Sequence, residues 1–211
     1  MTTTGQHVSQ FRKVDTIRVD IKKEIRADNS TVLYSTVPLD TYPYRLTERL
    51  KHWAAVAPDR IFIGRKNKEG SWDTLTYKET FRLVQCIAQA LLQRKVSSSR
   101  PIAILSENSI EHALMALAAL HAGIPYSPIA PAYSLRSTDF EKLKHVLDLL
   151  TPGLIFVNDG KKYEKALKAV AKDVEVVSLV KPAGDFTFKP FEELLRTQPT
   201  EKLAEAFAAI Q

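Results

Sequence analysis

Apolar and polar positions alternate first with a period of two, then recur at helical spacing. From residue 102 they arrive as short unbroken apolar runs. Ile17, Val19, Ile21 and Ile25 are separated by polar partners, Asp28 and Asn29 suit a tight turn, and 31–34 resumes the alternation, which predicts a β-hairpin. Residues 37–44 carry two prolines and read as a linker. Leu46, Leu50 and Trp53 predict a helix opened by Thr47 or its neighbour and closed before Pro58. A second hairpin is predicted from 61–64 and 72–76 around a turn at 67–71. In Thr76-Tyr77-Lys78-Glu79 the threonine hydroxyl can accept the third helical N–H while the glutamate reaches back to the threonine amide. The helix so capped presents Phe81, Val84, Ile87, Ala88, Leu91 and Leu92 on one face and ends near Lys95.

The stretch 100–134 organises the rest of the chain. Residues 102–105 form a continuous apolar run suited to a parallel strand covered on both faces. Asn108 is the expected cap of the next helix, with Glu111 completing a capping-box-like start. That helix alternates alanines with Leu114, Met115, Leu117 and Leu120, is apolar nearly all round, and is expected to be buried between layers until Gly123 ends it. A strand at 126–129 leads to a proline-broken loop. A helix from 137–139 comes next, with Phe140, Leu143, Val146, Leu147 and Leu150 inward, then a strand at 154–157. A short helix at 161–171, a final strand at 174–180 and helices at 190–195 and 201–210 complete the pattern. The order β-α-β-α-β-α-β predicts an α/β fold: a parallel sheet with right-handed crossovers and flanking helices, preceded by β-hairpins. Residues 1–13 are polar and expected to be disordered, 14–44 form a hairpin and linker, and 45–211 form the α/β domain.

Composition narrows the function classes. At 211 residues with 45% hydrophobic and 26% charged positions, the chain can bury a full core. The net charge of +6 is scattered among interleaved acids, so no basic stripe points to nucleic acid or a membrane surface. One cysteine, Cys86, lies within an apolar helical pattern and reads as a structural thiol; with no second thiol a cytoplasmic setting is expected. The first residues lack the apolar core of a signal peptide, and the apolar run at 110–122 is interrupted by His112 and His121. Asn29-Ser30-Thr31 matches a glycosylation sequon but reads as a polar turn.

The search for chemistry is mostly negative. The seven glycines do not cluster, and Gly160-Lys161 is a Gly-Lys pair without the glycine that a phosphate loop needs at position 155. The turn Ser106-Glu107-Asn108 has no glycine, so the dinucleotide fingerprint is absent. His112 and His121 stand about two and a half turns apart on opposite helix faces, which disfavours a shared metal. His145 is on a predicted polar side and His52 lies beside Trp53. Glu107 and Glu111 are explained by their position at a helix start rather than as an acid/base pair. Tyr133-Ser134 lies beyond a strand's C-terminal end, where α/β ligand sites occur. No catalytic, cofactor-binding or metal residue is assigned.

The segments TERLKHWAAVAPDR, WDTLTY and LSENSIEHALMALAALHAGIPYSPIAPAYS, with the strand LTPGLIFV, resemble the N-terminal domain of acyl-adenylate-forming enzymes. In that superfamily an N…E…LA…AG…P segment recurs at this place. The run EHALMALAALHAGIPYSPIAPAYSL and TPGLIFV are similar to feruloyl-CoA synthetases of phenylpropanoid catabolism, over about residues 40–180. The resemblance implies a Rossmann-like subdomain of the adenylate-forming (AMP-binding) fold, incomplete within 45–211. It also implies a ligase that joins a hydroxycinnamate-type carboxylic acid to CoA through an acyl-adenylate, using ATP and magnesium, possible homo-oligomers included. The family's functional residues lie in a Thr/Ser/Gly-rich phosphate loop ending in Pro-Lys, an aromatic-Thr-Glu adenine segment, a ribose-holding Asp and a C-terminal lysine. None of these motifs occurs in this sequence. The phosphate loop is expected soon after the 201–210 helix, so the chain reads as a truncated portion that is inactive alone. Two other readings stay open: a non-catalytic binding or scaffold remnant of the fold, and an unrelated Rossmann-like small-molecule enzyme.

Overall fold

In the computed structural model the described residues are 20–171, 173–183 and 186–210. The chain divides into two compact units at Tyr42/Pro43. The first holds a two-stranded antiparallel hairpin, β1 (Ile21–Ile25) and β2 (Thr31–Ser35), turned at Asn29 with φ +63°. Asp28 accepts the Ser30 N–H at 2.9 Å, the local bond that makes this turn favourable. The expected disorder of 1–13 and the first alternating positions, 15–19, lie outside the described residues.

The second unit opens with α1 (Thr47–Val56) and the hairpin β3 (Ile61–Lys66) and β4 (Trp72–Thr76), whose first strand runs two residues further than the pattern at 61–64 predicts. Thr76 then starts α2 (Tyr77–Leu92), and the predicted box forms: its hydroxyl accepts the Glu79 N–H at 3.2 Å, and Glu79 accepts the Thr76 N–H at 2.9 Å. These bonds hold the Glu79 carboxyl below its ordinary pKa.

The next elements are β5 (Ile102–Leu105), α3 (Ile110–His121), β6 (Tyr126–Pro128), α4 (Pro131–Leu135), α5 (Glu141–Leu150), β7 (Leu154–Val157), α6 (Glu164–Val170), β8 (Glu175–Ser178), β9 (Phe188–Pro190), α7 (Phe191–Leu195) and α8 (Glu201–Ala208). The five later strands pair in parallel in the order β6-β5-β7-β8-β9. β5 and β7 are wholly buried, as continuous apolar runs require. The strand period of two sends Ile102, Ile104, Leu154 and Phe156 to one face, against α2, α3, α7 and α8. Ala103, Leu105, Ile155 and Val157 face α5, α6 and Tyr163 on the other. The result is a three-layer α/β/α sandwich.

Six expectations need correction. The cap of α3 is Ser109, not Asn108: its extended backbone lets Oγ accept the His112 N–H at 3.0 Å. Glu111 then falls one residue short of the box position and lies 3.6 Å from Arg65. α3 is not buried all round, since Ala113, Ala116, Leu117 and Leu120 keep partial exposure while Leu114, Met115, Ala118 and Ala119 are buried. The proline-broken loop contains α4, because Pro131 stands at the first helical position, where its missing N–H costs nothing. α6 starts at Glu164 rather than 161, and the strand at 174–180 is not the last. β9 comes after it at the sheet edge, where Pro190 is tolerated.

The start of α8 is held from a distance. The side chain of Thr200 makes no cap bond; instead, Gln89 Oε1, buried on α2, accepts both the Thr200 N–H at 2.8 Å and its hydroxyl at 2.9 Å.

Candidate functional site

Parallel α/β sheets place ligand crevices beyond the C-terminal strand ends, where neighbouring connections leave on opposite faces. Here that point lies between β5 and β7, because β5 continues into α3 on one face and β7 into α6 on the other. Two polar turns meet there: Ser106-Glu107-Asn108 and Asn158-Asp159-Gly160.

Lys162 pairs with the half-exposed Glu107 carboxylate across the crevice. Beneath them Tyr163 is fully buried, and among the described residues its hydroxyl makes no well-formed hydrogen bond, with the Glu107 backbone its near neighbour. Burial pushes that phenol up to about 12, with the Glu107 and Asp159 carboxylates adding to the effect. Asn158 Oδ1 is also buried without a hydrogen-bond partner among the described residues. Alongside lies an open groove of about 360 Å³ that includes Ser106, Asn108, His112, Pro128 and Pro131. Ser106 Oγ donates to the Glu107 carbonyl at 2.6 Å, and His112 Nδ1 lies 3.4 Å from the same oxygen.

The turn after β7 is closed by its own carboxylate. The N–H groups of Lys161 and Lys162 both donate to Asp159 Oδ1 at 3.0 Å, and Gly160 N–H donates to the Val180 carbonyl at 3.0 Å. A phosphate cradle needs such donors free and converging. Among the described residues no group of three His, Cys, Asp or Glu side chains could hold a metal. The crevice can bind and orient a polar group; it presents no nucleophile bonded to a base.

The residues singled out in the sequence mostly separate. Glu107 and Glu111 turn to different partners, Lys162 and Arg65, and form no acid/base pair. Tyr133 and Ser134 fall on α4, where Ser134 Oγ is buried with no hydrogen-bond partner among the described residues. His145 is exposed, His52 meets the Trp53 ring edge-on at 5.2 Å, and Cys86 is a buried free thiol. Tyr163, Asn158 and Lys162 escaped the sequence reading, although polar residues directly after the apolar run 154–157 were the available signal.

His112 and His121 do lie apart, the first at the groove and the second in the core. His121 is hydrogen-bonded to Thr47 at 3.0 Å, stacked on Phe207 at 4.4 Å and met edge-on by Phe81 at 5.7 Å. Burial pushes its pKa down to about 4, and the nearby Lys51 charge adds to this. The unfolded chain therefore takes up a proton that the folded one refuses, so stability is full above about pH 6.5 and falls towards pH 4. The expected loss is about 2–3 kcal/mol over that window. Urea unfolding at pH 7 and pH 4.5 checks it: His121→Gln, which cannot titrate, should flatten the pH dependence, and an equal slope in both proteins would assign it elsewhere.

Among the described residues no helix is long and apolar enough to cross a membrane. Comparison with known proteins places the chain. Residues 50–208 match the family described as AMP-binding enzyme. Tyrocidine synthase 1 of Brevibacillus parabrevis is 35% identical over 80 residues, covering 38% of this chain and 7% of that protein. A dimodular nonribosomal peptide synthase of Bacillus subtilis (strain 168) is 27% identical over 169 residues, covering 77% of this chain and 6% of that protein. The luciferase-like enzyme from the nonluminescent Zophobas morio mealworm shares the fold with a TM-score of 0.59 at 22% identity, over 77% of this chain and 38% of that one. The chain thus spans only a small part of the length of the curated relatives it matches. With the family matched across three-quarters of its residues and the parallel sandwich shared with a solved relative, the chain belongs to the AMP-binding enzyme family.

Proposed function

We propose that this chain supplies the buried α/β frame of an ATP-dependent acid–CoA ligase and does not itself form the adenylate. In the whole enzyme a carboxylic acid and ATP give an acyl-adenylate and pyrophosphate, and the CoA thiol then displaces AMP. The family match over residues 50–208 supports this reading. The turn after β7 offers a phosphate no free amide cradle, because its donors are taken by Asp159 and Val180. No step through ATP, magnesium or CoA is therefore derived on this chain. Its contribution is mechanical, a rigid parallel sheet on which the reacting groups of the enzyme are positioned.

The finer reading is a cytoplasmic feruloyl-CoA synthetase acting on hydroxycinnamate-type acids. It rests on the sequence likeness of 111–135 and 151–157, which lie on α3, β6, α4 and β7 and are packing elements.

The test is pyrophosphate release with ATP, magnesium, ferulate and CoA. The chain alone is expected to give none, and ATP- and ferulate-dependent release by it would overturn the non-catalytic assignment. Supplying the remainder of a feruloyl-CoA synthetase as a second polypeptide should restore release with ferulate. Restoration with another acid would move the substrate, and no restoration with any acid would favour a scaffold role.

A further inference from the structure

Among the described residues the N-terminal hairpin has two unpaired edges, one along each strand. An isolated two-stranded hairpin is marginal in water and normally gains strands or a covering layer. Among the described residues β1 and β2 pair only with each other, and Ile21, Ile25 and Leu33 are 60%, 64% and 64% exposed.

The register decides which backbone groups are free. Arg26 N–H donates to Ser30 O at 3.0 Å and Thr36 N–H to Asp20 O at 2.9 Å, so in the same register 22/34 and 24/32 are the pairs bonded inward. The N–H and C=O groups of Thr31, Leu33 and Ser35 therefore point outward along the free edge of β2. Those of Ile21, Lys23 and Ile25 do so along β1.

The two edges differ in chemistry. β1 carries Lys22, Lys23 and Glu24, the kind of charged residues that keep an edge from pairing. β2, Thr-Val-Leu-Tyr-Ser, carries no charge. We propose that β2 is the contact edge of a symmetric pair, in which two copies of this chain join antiparallel about a two-fold axis at Leu33 to make a four-stranded sheet.

The outward groups fit that axis without a shift. Leu33 N–H and C=O exchange bonds with the same groups of the second copy, and Thr31 and Ser35 exchange with Ser35 and Thr31. The side chains opposed are then of favourable kinds: Leu33 with Leu33, Val32 with Tyr34 as a β-branched–aromatic pair, and Thr31 with Ser35 as a hydroxyl pair. The corresponding axis on β1 would set Lys23 against Lys23, with Lys22 and Glu24 facing across it. Self-pairing on β1 thus sets a like-charge pair on the axis, flanked by Lys22–Glu24 pairs, whereas β2 brings no charge into the seam; the backbone groups are equally available on both edges. On this sheet face Leu33 lies between Lys23 of its own hairpin and Leu33 of the second copy, while Ile21 and Ile25 lie opposite Ser35 and Thr31.

Sedimentation of the 211-residue chain across the micromolar range tests this. The unaltered chain should show a concentration-dependent dimer. Leu33→Lys and Leu33→Glu, each at an exposed position, should each weaken it by about tenfold or more, by setting like charges on the axis. Mixing the two variants should restore a dimer containing one of each, since opposite charges then meet. An unaltered chain that stays monomeric, a dimer that both variants leave unchanged, or a mixture that fails to reassociate would each overturn the proposal. The last of these would point to a strand from a different protein on this edge. Unchanged circular dichroism of both variants guards against simple unfolding, and the mixing result itself requires folded partners.

Discussion

Ala118→Glu is expected to lose about 3–5 kcal/mol of unfolding free energy, the cost of an unpaired charge in a packed interior. Ala118 has no exposed surface and belongs to the core that α3 shares with α2 and one face of the sheet. A glutamate there would have to fit its extra volume and charge into a packed apolar interior. Against a total of about 5–15 kcal/mol for an ordinary domain, that loss leaves little reserve. Ala116→Glu, on the partly exposed side of the same helix, should cost well under half as much. Urea unfolding of the two variants separates burial from helix propensity, because both make the same chemical change. Equal midpoints would remove α3 from the core.

Gly153→Ala should destabilise by about 3 kcal/mol or more through overpacking against fixed backbone. A Cβ at this buried glycine would stand 2.0 Å from the Lys95 carbonyl oxygen and 3.1 Å from the Val96 Cα. Its own N–H donates to the Pro101 carbonyl at 3.0 Å, so it cannot retreat without breaking the entry to β7. For a chain of this size the melting temperature should fall by roughly 6–12 °C. Gly70→Ala supplies the contrast: there is open space around it, but φ is +85°, so its cost is torsional and nearer to 1 kcal/mol. If both substitutions shifted the melt alike, the close approach of the 93–96 connection to β7 would be wrong.

Where local chemistry decides structure, the sequence was readable. The Thr76–Glu79 box needs only residues three apart, and the runs at 102–105 and 154–157 could be covered on both faces only in a parallel sheet. Gly123, at φ +69°, ends α3 as the residue type predicts. Neighbours made later were not readable. β9 is three residues long and exists because β8 offers it an edge, and no period of two can develop over that length. The cap of α3 moved by one residue because the exit of β5 sets where the helix can begin. The crevice was the least legible part. Glu107 and Lys162 lie 55 positions apart and meet only because β5 and β7 are adjacent in the strand order. Tyr163, an ordinary tyrosine after two lysines, acquires its raised pKa from burial first and from the Glu107 carboxylate that this adjacency brings near second.

The bond from Gln89 to Thr200 has a consequence for how the chain folds. It closes a span of 111 residues, so the first turn of α8 has no autonomous nucleus and must wait for α2 to be in place. The entropy of closing so long a loop is met only once the intervening strands have shortened the effective distance. The anchoring of the first turn of α8 therefore reports on whether α2 has reached its native place. In return α8 is bound into the cooperativity of the whole sandwich.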